Sequence, residues 1–299
     1  MRVHVRVPAT SANLGPGFDA LGLALSLHNE VVAEERDGVT VTIQGEGADR
    51  LSRDGGNVVA RGVKLAFEAA GRAFKGCALE CVNRIPTARG LGSSAAAWVG
   101  GLVAGNALLG SPLSREAILA LAARAEGHPD NVAAAVFGGL TVSCGTPDGV
   151  TAVTLPVTKI LSWVVLVPEV TSATSEARAL LPRSVPREDA VFNVQRVALL
   201  LAGLQIALPA ALSVALDDRL HQPYRLKLFP WMPEVSDAAR AAGALGCVLS
   251  GAGPSLLAVV AGDGAAVGRA MEGAAGRAGI RATALTLDVD SAGATSRVS

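Results

Sequence analysis

The chain is poor in aromatic residues, lysine and cysteine, and it carries no net charge. Aromatic residues make up 3% of the 299 residues and hydrophobic residues 50%, so the core must be built mainly from alanine, valine and leucine. Only four of the 26 basic residues are lysines, which we interpret as a compositional bias towards arginine. Basic and acidic residues balance at 26 each, which argues against a nucleic-acid or membrane-surface partner attracted by net charge.

The four cysteines lack the spacing of zinc ligands, and four in a chain of this length do not make a disulfide scaffold. The stretch from Met1 to Arg6 lacks the apolar core of a secretory signal, and no segment resembles an uninterrupted membrane span. We therefore expect a soluble, cytoplasmic protein. Its length is sufficient for a substantial core and predicts two domains.

Residues 84–97 have the pattern of an anion-binding loop that leads into an alanine-rich helix beginning near Ser94. Gly90 and Gly92 allow the backbone to turn tightly and to approach a ligand closely. The serines stand where a helix N-terminus exposes unpaired N–H groups, an arrangement that suits a phosphate. A plain strand–loop–helix corner with a serine cap would use the same residues. No lysine follows the glycines, so the usual P-loop pattern is absent.

Two further polar loops contain glycine, at residues 8–19 and 250–255. The first follows a strand at 2–7, in which valines alternate with polar residues, so His4 is interpreted as solvated. It contains two glycines and two prolines, and a mere connection could be shorter and less polar. We therefore interpret it as a binding loop. Its polar residues are Thr10, Ser11, Asn13 and Asp19.

A carboxylate, Glu126, ends the helix that Ser114 is predicted to cap. A negative charge in the last helical turn is disfavoured by roughly 0.3–1 kcal/mol, and a bound cation would offset that cost. A solvated glutamate is the alternative. The polar sequence 128–131 follows directly and favours a ligand site, although Asp130 or Asn131 could also cap the next helix.

The rest of the chain predicts alternating strands and helices. The predicted strands lie at 22–34, 38–44, 77–83, 161–167, 245–249, 256–260 and 280–288. The predicted helices lie at 57–72, 188–206, 209–220, 233–243 and 265–278. We expect loops at 84–95 and 171–178, a domain boundary within 145–160 and a frayed tail from Asp290.

These loops together resemble the GHMP small-molecule kinase superfamily along nearly the whole chain. Its signature P-x-x-x-G-L-G-S-S-A stands at residues 86–95, and the first loop, T-S-A-N-L-G-P-G-F-D, is similar to that of the homoserine kinase family. Residues 126–131, 221–225 and 250–255 fit the same family. The resemblance implies an α+β, two-domain GHMP kinase fold.

The implied N-terminal domain, residues 1–155, is an ATP-binding α/β domain with a left-handed βαβ phosphate-loop unit. The implied C-terminal domain, residues 156–299, is ferredoxin-like. ATP and homoserine would bind between the two domains. The resemblance implies ATP-dependent phosphorylation of the hydroxyl of L-homoserine to O-phospho-L-homoserine in threonine biosynthesis, with Mg²⁺ as cofactor. Homodimer formation is left undecided, and no nucleic-acid or membrane partner is expected.

The resemblance also implies roles for individual residues. The ATP and phosphate site would comprise Asn57, Val58, Pro86, Arg89, Gly90, Leu91, Gly92, Ser93, Ser94 and Ala95. Ser94 and Glu126 would contact Mg²⁺. The substrate site would comprise Asn13, Asp19, His128, Asp130, Thr174, Arg178, Arg225, Gly251 and Gly253. Within it, the two arginines suit the substrate carboxylate and Asp19 suits its ammonium.

Asn13, Glu126 and Arg178 are the predicted catalytic residues. Some GHMP relatives use a Lys–Asp pair near the first loop, but the corresponding stretch here holds Thr10-Ser11 and no lysine. We therefore expect no dedicated lysine-assisted base, with Asn13 orienting the substrate hydroxyl. Phosphoryl transfer depends mostly on positioning and charge stabilisation, so a strong base is not obligatory.

The residues are less consistent with three other functions. A hydrolase would need a G-x-S-x-G elbow, which is absent, and His128 and Asp130 are not spaced like a catalytic triad. A GHMP kinase for mevalonate or a sugar is disfavoured by the first loop and the two arginines. A non-catalytic GHMP regulator should have lost phosphate-loop or Mg²⁺ residues, yet Ser94, Glu126 and the glycines are present.

Overall fold

The computed structural model describes residues 1–147 and 149–299, so Asp148, in the predicted boundary region, lies outside the described residues. The strands are β1 (Arg2–Ala12), β2 (Leu21–Glu35), β3 (Gly38–Gly45), β4 (Gly76–Asn83), β5 (Leu140–Thr146), β6 (Gly149–Leu155), β7 (Leu161–Pro168), β8 (Ala244–Leu249), β9 (Leu256–Ala261), β10 (Ala282–Leu287) and β11 (Thr295–Val298). The helices are α1 (Val58–Ala69), α2 (Ser93–Leu108), α3 (Arg115–Glu126), α4 (Asp130–Phe137), α5 (Thr174–Ala179), α6 (Arg187–Ile206), α7 (Pro209–Ala215), α8 (Gln222–Arg225), α9 (Met232–Ala241) and α10 (Ala265–Arg277).

A seven-stranded sheet contains the strands of the first half of the chain. Its main path runs β11-β1-β2-β4-β3, with β5 paired to β2 and β6 paired to β5. β3 and β4 are parallel because α1 crosses between them, whereas β1 and β2 form a long antiparallel pair. The prediction of a loop from residue 8 was wrong in part. β1 continues to Ala12, since residues 9–12 still pair with β2, and the first loop begins at Asn13.

Helices α1 and α2 pack closely against each other beside this sheet. Asn57 caps α1 by accepting a hydrogen bond from the Val59 amide at 2.9 Å. A Cβ on Gly101 of α2 would lie 2.9 Å from the Cα of Gly62 in α1, so side chains larger than hydrogen would push the helices apart. α2 is buried along most of its length, which explains its alanine and glycine content. It begins at Ser93, one residue before the predicted start.

The second sheet has the strand order β10-β7-β9-β8, and all its neighbouring strands are antiparallel. In chain order these strands and the helices between them form a β-α-β-β-α-β arrangement, in which several helices replace the first one. In this arrangement the first strand pairs with the fourth and the third, which is the ferredoxin-like topology. The prediction of a ferredoxin-like C-terminal unit is therefore confirmed.

The prediction of a frayed tail was wrong. β11 pairs with β1, and the side chain of Asp290 lies 2.6 Å from Nε2 of His28 and accepts the backbone N–H of Ala292 and Gly293. The tail therefore returns to the first sheet. Because the two sheets do not divide the chain at a single position, the division at residue 155 stays a prediction.

Three other elements differ from the sequence prediction. The hairpin β5–β6 was not predicted, and the loop expected at 171–178 contains helix α5. No segment was expected to resemble a membrane span, yet α6 is long and apolar enough to pass as one by length and composition. In this fold the buried Asn193 of α6 donates hydrogen bonds to the carbonyl of Pro16 and to Asp218.

Candidate active site

A cavity of about 250 Å³ lies where the three glycine-containing loops meet. Loop 13–19 follows β1, the loop before α2 follows β4, and the turn at 250–255 joins β8 to β9. Helices α3, α4, α5 and α8 complete the wall. The predicted site residues that line the cavity are Asn13, Asp19, Gly90, Gly92, Ser93, Ser94, Glu126, His128, Asp130, Thr174, Arg178, Arg225 and Gly251.

The loop before α2 leaves the helix N-terminus free of side-chain caps. Gly92 occupies the cap position with φ 67°. A Cβ added at this residue would collide with the side chain of Thr10. Gly90 has φ 73° and packs against the backbone of Ser250, whose hydroxyl lies 2.7 Å from the carbonyl oxygen of Gly90. The first amides of α2 therefore stay available for an anion at the positive end of the helix dipole.

Ser94 and Glu126, the predicted metal contacts, lie side by side in the cavity. The hydroxyl of Ser94 donates to Oε2 of Glu126 at 2.7 Å. Of the residues that the structure describes, only Ser94 gives this carboxylate a hydrogen-bond or ion-pair partner. Glu126 is the last residue of α3 and Gly127 caps the helix with φ 93°. The carboxylate at the negative helix end thus faces the cavity without a cation from the protein.

Asp19 and Arg178 face each other across the cavity mouth. Nη1 and Nη2 of Arg178 each donate to one carboxylate oxygen of Asp19 at 2.8 Å, a bidentate pair. This hydrogen bonding raises the pKa of Arg178 above its ordinary value. Asp19 has φ 56°, and its amide donates to Oδ1 of Asn13 at 3.0 Å. The Nδ2 of Asn13 donates to the carbonyl oxygen of Gly251, so the first and third loops are joined.

His128 and Asp130 form a second pair at the start of α4. Nδ1 of His128 lies 2.9 Å from Oδ1 of Asp130, which is buried and also accepts the backbone N–H of Asn131. The hydrogen bond to Asp130 raises the pKa of His128 above its ordinary value. The Oδ1 of Asn131 accepts a hydrogen bond from Thr10 at 2.7 Å, which fixes α4 to the end of β1.

Arg225 is buried, although it lines the cavity. Its Nη1 donates to the carbonyl oxygen of Gly251 at 3.0 Å and lies 2.9 Å from Nδ1 of His221. Burial, and then the positive charge of Arg178, lowers the pKa of Arg225 to about 10. The guanidinium carbons of Arg225 and Arg178 lie 5.6 Å and 5.5 Å from the ring centre of Phe18. The cavity therefore holds two cationic groups around one aromatic ring.

A second, more apolar cavity of about 230 Å³ meets the first one at Ser93 and Ser94. Its wall includes Asn57 and Val58, two residues of the predicted ATP site, beside the start of α1. The side chain of Asn57 is used within the protein, because it caps α1 and donates to the carbonyl oxygen of Ser52. Both predicted ligand regions therefore adjoin the N-terminus of α2.

Five predicted site residues line neither cavity: Pro86, Arg89, Leu91, Ala95 and Gly253. Leu91 and Ala95 are buried in the core, and Arg89 forms an ion pair with Glu46 at 3.3 Å. A Cβ on Gly253 would lie 2.6 Å from the ring of Phe229. Gly253 is therefore required by apolar packing and by its φ of 87°, and this placement gives no support to its predicted contact with the substrate.

Other residues of the site were not assigned a role from the sequence. Phe18, Asn131 and Ser172 line the first cavity, and the side chains of His221 and Asp218 are fully buried. Phe18, Asn131 and His221 stand within quoted motifs, so their position in those motifs was an available signal. Ser172 and Asp218 carried no such signal. Their place in the site follows from tertiary contacts alone.

Comparisons with known proteins show the family to which the chain belongs. The family model described as GHMP kinases N terminal domain matches residues 57–139, and the one described as GHMP kinases C terminal matches residues 198–278. A homoserine kinase of Carboxydothermus hydrogenoformans is 46% identical over 271 residues, which cover 90% of this chain and 88% of that protein. The chain belongs to the homoserine kinase family of the GHMP kinases.

Two further relatives extend the similarity over the whole chain. A homoserine kinase of Clavibacter michiganensis subsp. michiganensis is 46% identical over 301 residues, which cover 99% of this chain and 94% of that protein. The crystal structure of homoserine kinase from Cytophaga hutchinsonii superimposes with a TM-score of 0.90 at 32% identity, covering 99% of this chain and 97% of that one. The two-domain fold is thus that of a homoserine kinase.

Proposed function

We propose that the chain transfers the γ-phosphoryl group of ATP to the hydroxyl of L-homoserine. One observation carries the proposal: a cavity with both signs of charge, from Asp19, Arg178 and Arg225, adjoins the uncapped N-terminus of α2. An amino acid with a hydroxyl side chain needs groups of both signs for its ammonium and carboxylate. A triphosphate needs the unpaired amides and the helix dipole. Membership of the homoserine kinase family supports the same pairing.

ATP would extend across the two cavities. The adenine would occupy the apolar cavity beside Asn57 and Val58, and the phosphates would pass over Ser93 and Ser94. These two serines border both cavities, so the γ-phosphate would enter the charged one. The amides of the 90–95 loop would hold the phosphate oxygens, while Gly90 and Gly92 permit the close approach.

The donor set at Ser94 and Glu126 fits Mg²⁺. Magnesium prefers oxygen ligands, keeps several waters and commonly uses one or two protein groups together with substrate phosphates. One hydroxyl and one carboxylate, 2.7 Å apart and next to the predicted phosphate path, match that need. Of the described residues, no group of three or more His, Cys, Asp and Glu could hold a metal by itself, which suits a cation shared with phosphates. When bound, Mg²⁺ would neutralise charge on the transferred group.

The charged cavity suggests how homoserine is oriented. Arg178 and Arg225 offer guanidinium N–H groups for its carboxylate, and Asp19 offers a carboxylate for its ammonium. Asp19 and Arg178 now satisfy each other, so a zwitterion would exchange that contact for two of its own. Asn13, between Asp19 and Gly251, would orient the hydroxyl towards the γ-phosphate with its remaining amide N–H.

No base is assigned to the reaction. None of the described residues that line the first cavity is a lysine, and Asp130 is held by His128 and Asn131. Positioning by Asn13 and charge stabilisation by the loop amides are therefore the contributions of the protein. The hydroxyl oxygen of homoserine attacks the γ-phosphorus, the bond to the leaving ADP oxygen breaks, and the hydroxyl proton passes to the phosphoryl product or to solvent.

The experiment is an ADP-release assay with homoserine, mevalonate, galactose and shikimate. Homoserine alone should support ADP release in parallel with O-phosphohomoserine. If another of these alcohols supported ADP release instead, the chain would be a GHMP kinase with a different substrate. If none of the four did, a ligand-binding regulator would be favoured. Homodimer formation, a cytoplasmic location and a place in threonine biosynthesis stay predictions of family membership.

A further inference from the structure

A buried histidine without a predicted role connects the first loop to Arg225. His221 is 0% exposed. Its Nδ1 lies 2.9 Å from Nη1 of Arg225, and its Nε2 lies 2.8 Å from the carbonyl oxygen of Gly15. Gly15 belongs to the same loop as Asn13 and Asp19. One imidazole thus contacts both the predicted carboxylate-binding group and the loop that carries the predicted ammonium-binding and hydroxyl-orienting groups.

The polar neighbours of His221 determine where its proton lies. Besides Arg225 and Gly15, Oδ2 of Asp218 lies 3.5 Å from Nε2 and also favours a proton on that nitrogen. A guanidinium only donates hydrogen bonds, and a carbonyl oxygen only accepts them. Nδ1 therefore accepts from Arg225, and the N–H on Nε2 donates to Gly15, so the ring is neutral. Burial accordingly lowers the pKa of His221 to about 4. A second proton would remove the acceptor and place a cation beside the buried guanidinium.

The imidazole is held on its other sides as well. The ring of Phe18 stacks on it with centres 5.2 Å apart. The buried carboxylate of Asp218 accepts the backbone N–H of His221 at 3.0 Å and of Gln222 at 2.7 Å, which fixes the start of α8. Because these contacts fix the imidazole of His221, it can in turn fix the longer side chain of Arg225.

The contacts of Arg225 show what His221 contributes. Nη1 is shared by His221 and the carbonyl oxygen of Gly251, and Nε lies 3.5 Å from the carbonyl oxygen of Ala177. None of the described residues accepts a hydrogen bond from Nη2, while Arg225 lines the cavity. The contacts at Nη1 and Nε hold the plane of the guanidinium and leave Nη2 for a ligand.

We propose that His221 is a positioning residue that aims Arg225 at the amino-acid substrate and fixes the first loop against it. This inference rests on the proposed function for its kinetic consequence. His221 sets two distances in the pocket at once, because its two nitrogens are rigidly joined. The first runs from Arg225 to the substrate carboxylate, and the second runs from the first loop to the substrate ammonium and hydroxyl.

Two amide variants separate the two contacts of His221. The amide oxygen of asparagine occupies the position of Nδ1 and keeps an acceptor for Arg225, whereas the amide nitrogen of glutamine reaches the position of Nε2 and keeps the donor to Gly15. His221→Gln should raise the KM for homoserine roughly 10- to 100-fold, because a hydrogen bond to a charged group is lost. His221→Asn should raise it much less. The KM for ATP should be unchanged in both.

His4→Gln is the matched control, because His4 lies on β1 away from the site and should leave all constants unchanged. A melting curve for each variant corrects the kinetics for folded fraction. Equal homoserine KM values in the Asn and Gln variants, or effects that vanish after that correction, would overturn the proposal.

A nuclear magnetic resonance readout keeps the inference separate from the proposed function. Nη1 of Arg225 carries two hydrogens, one directed to Gly251 and one to His221. Both Nη1–H signals, identified by their absence in Arg225→Lys, should persist in His221→Asn, and the one from the hydrogen directed to residue 221 should disappear in His221→Gln. If the parent protein does not phosphorylate homoserine, the proposed function fails, and this signal still decides whether His221 positions Arg225. The same signal in both variants would count against the inference, whatever the substrate.

Discussion

At the scale of single residues, the candidate site consists of polar side chains that pair with each other. Arg178 holds Asp19, Ser94 holds Glu126, and Asp130 holds His128. Each pair joins groups predicted to contact ATP, Mg²⁺ or homoserine. Asp130 is the buried member of these pairs, and its contact with His128 avoids the cost of a buried charge without a partner. The ligand would then exchange these contacts for its own.

Glu126 gives the sharpest test at this scale. Glu126→Gln keeps a similar shape and an oxygen facing Ser94 but removes the negative charge. We expect kcat to fall on the order of 100-fold with little change in melting temperature, because charge stabilisation of the phosphoryl group is lost. Steady-state assays over a range of Mg²⁺ concentrations measure this change in kcat. Glu116→Gln, in the exposed first turn of the same helix, is the control, and near-normal turnover of Glu126→Gln at limiting Mg²⁺ would refute the assignment.

Arg178 offers a cleaner test of substrate charge recognition than the buried Arg225. Its side chain is 42% exposed, so Arg178→Leu should change the free energy of unfolding by less than about 1 kcal/mol. The KM for homoserine should rise roughly 10- to 150-fold, because a charge-assisted contact is lost. The KM for ATP should not change. Arg183→Leu, an exposed site beyond α5, is the control, and unaltered homoserine kinetics in Arg178→Leu would contradict the role.

At the scale of elements, the approach of β1 to the start of α2 forms the predicted phosphate-binding corner. The amide of Thr10 donates to the carbonyl oxygen of Leu91 at 3.1 Å, and the Thr10 hydroxyl packs against Gly92. The same hydroxyl donates to Asn131 at the start of α4. Three elements therefore meet at one threonine, which fixes where the N-terminus of α2 points.

Gly92→Ala tests this corner. The added Cβ would collide with the hydroxyl of Thr10 in a backbone with φ 67°, so the loop must move. We expect the KM for ATP to rise at least about 10-fold, beyond any loss of folded protein, because the amides no longer face the phosphates. Gly71→Ala has a similar φ of 65° with no atom within 4 Å and isolates the backbone strain. If the two variants behave alike in ATP kinetics, the corner is not a phosphate site.

At the scale of the whole molecule, the C-terminal tail ties the end of the chain to the site. The carbonyl of Ala135 in α4 accepts the amide of Ala294, and Gly139 donates to the carbonyl of Asp290. The same α4 carries Asp130 at its other end. Burial alone would raise the pKa of Asp290, but the hydrogen bonds from His28 and from backbone amides lower it below its ordinary value.

Asp290→Ala should therefore destabilise the protein by roughly 1–3 kcal/mol, because buried donors lose their acceptor. Urea unfolding at neutral pH measures this change. Asp288→Ala removes an exposed carboxylate two residues earlier and should stay within about 0.5 kcal/mol of the parent. Equal stability of the two variants would show that the tail is held by β11 alone.

The stability of the whole molecule should also depend on pH through His221. Its pKa is about 4 in the folded protein, below the ordinary value of 6.5, so the unfolded chain binds a proton that the folded chain does not. The free energy of unfolding should therefore fall as the pH drops from about 6.5 to about 4, by up to about 3 kcal/mol. Urea unfolding across this range measures it. His221→Asn should show a flatter profile, and an unchanged slope would contradict a neutral buried histidine.

Some features of the protein can be predicted from its sequence alone. Alternating valines predict β1, and glycine pairs between apolar segments predict the three loops, because these depend on local periodicity and backbone freedom. The GHMP signature predicts a phosphate loop at 86–95, and membership of the family was confirmed. Pro8–Ala12 and the tail from Asp290 were mispredicted because strand pairing with distant residues, which local composition does not reveal, decides their structure.

Only the tertiary structure decided how the predicted residues face each other. Asp19 and Arg178 lie 159 positions apart, and their bidentate pairing requires α5 to sit over the first loop. The motif around Gly253 predicted a ligand contact, yet a Cβ at this residue would lie nearest to the side chains of Phe229 and Leu249. His221 acquired its neutral form from burial between Arg225 and Gly15. Contacts, burial and proton positions depend on partners that are far away in the chain, and only the packing of the two sheets brings them together.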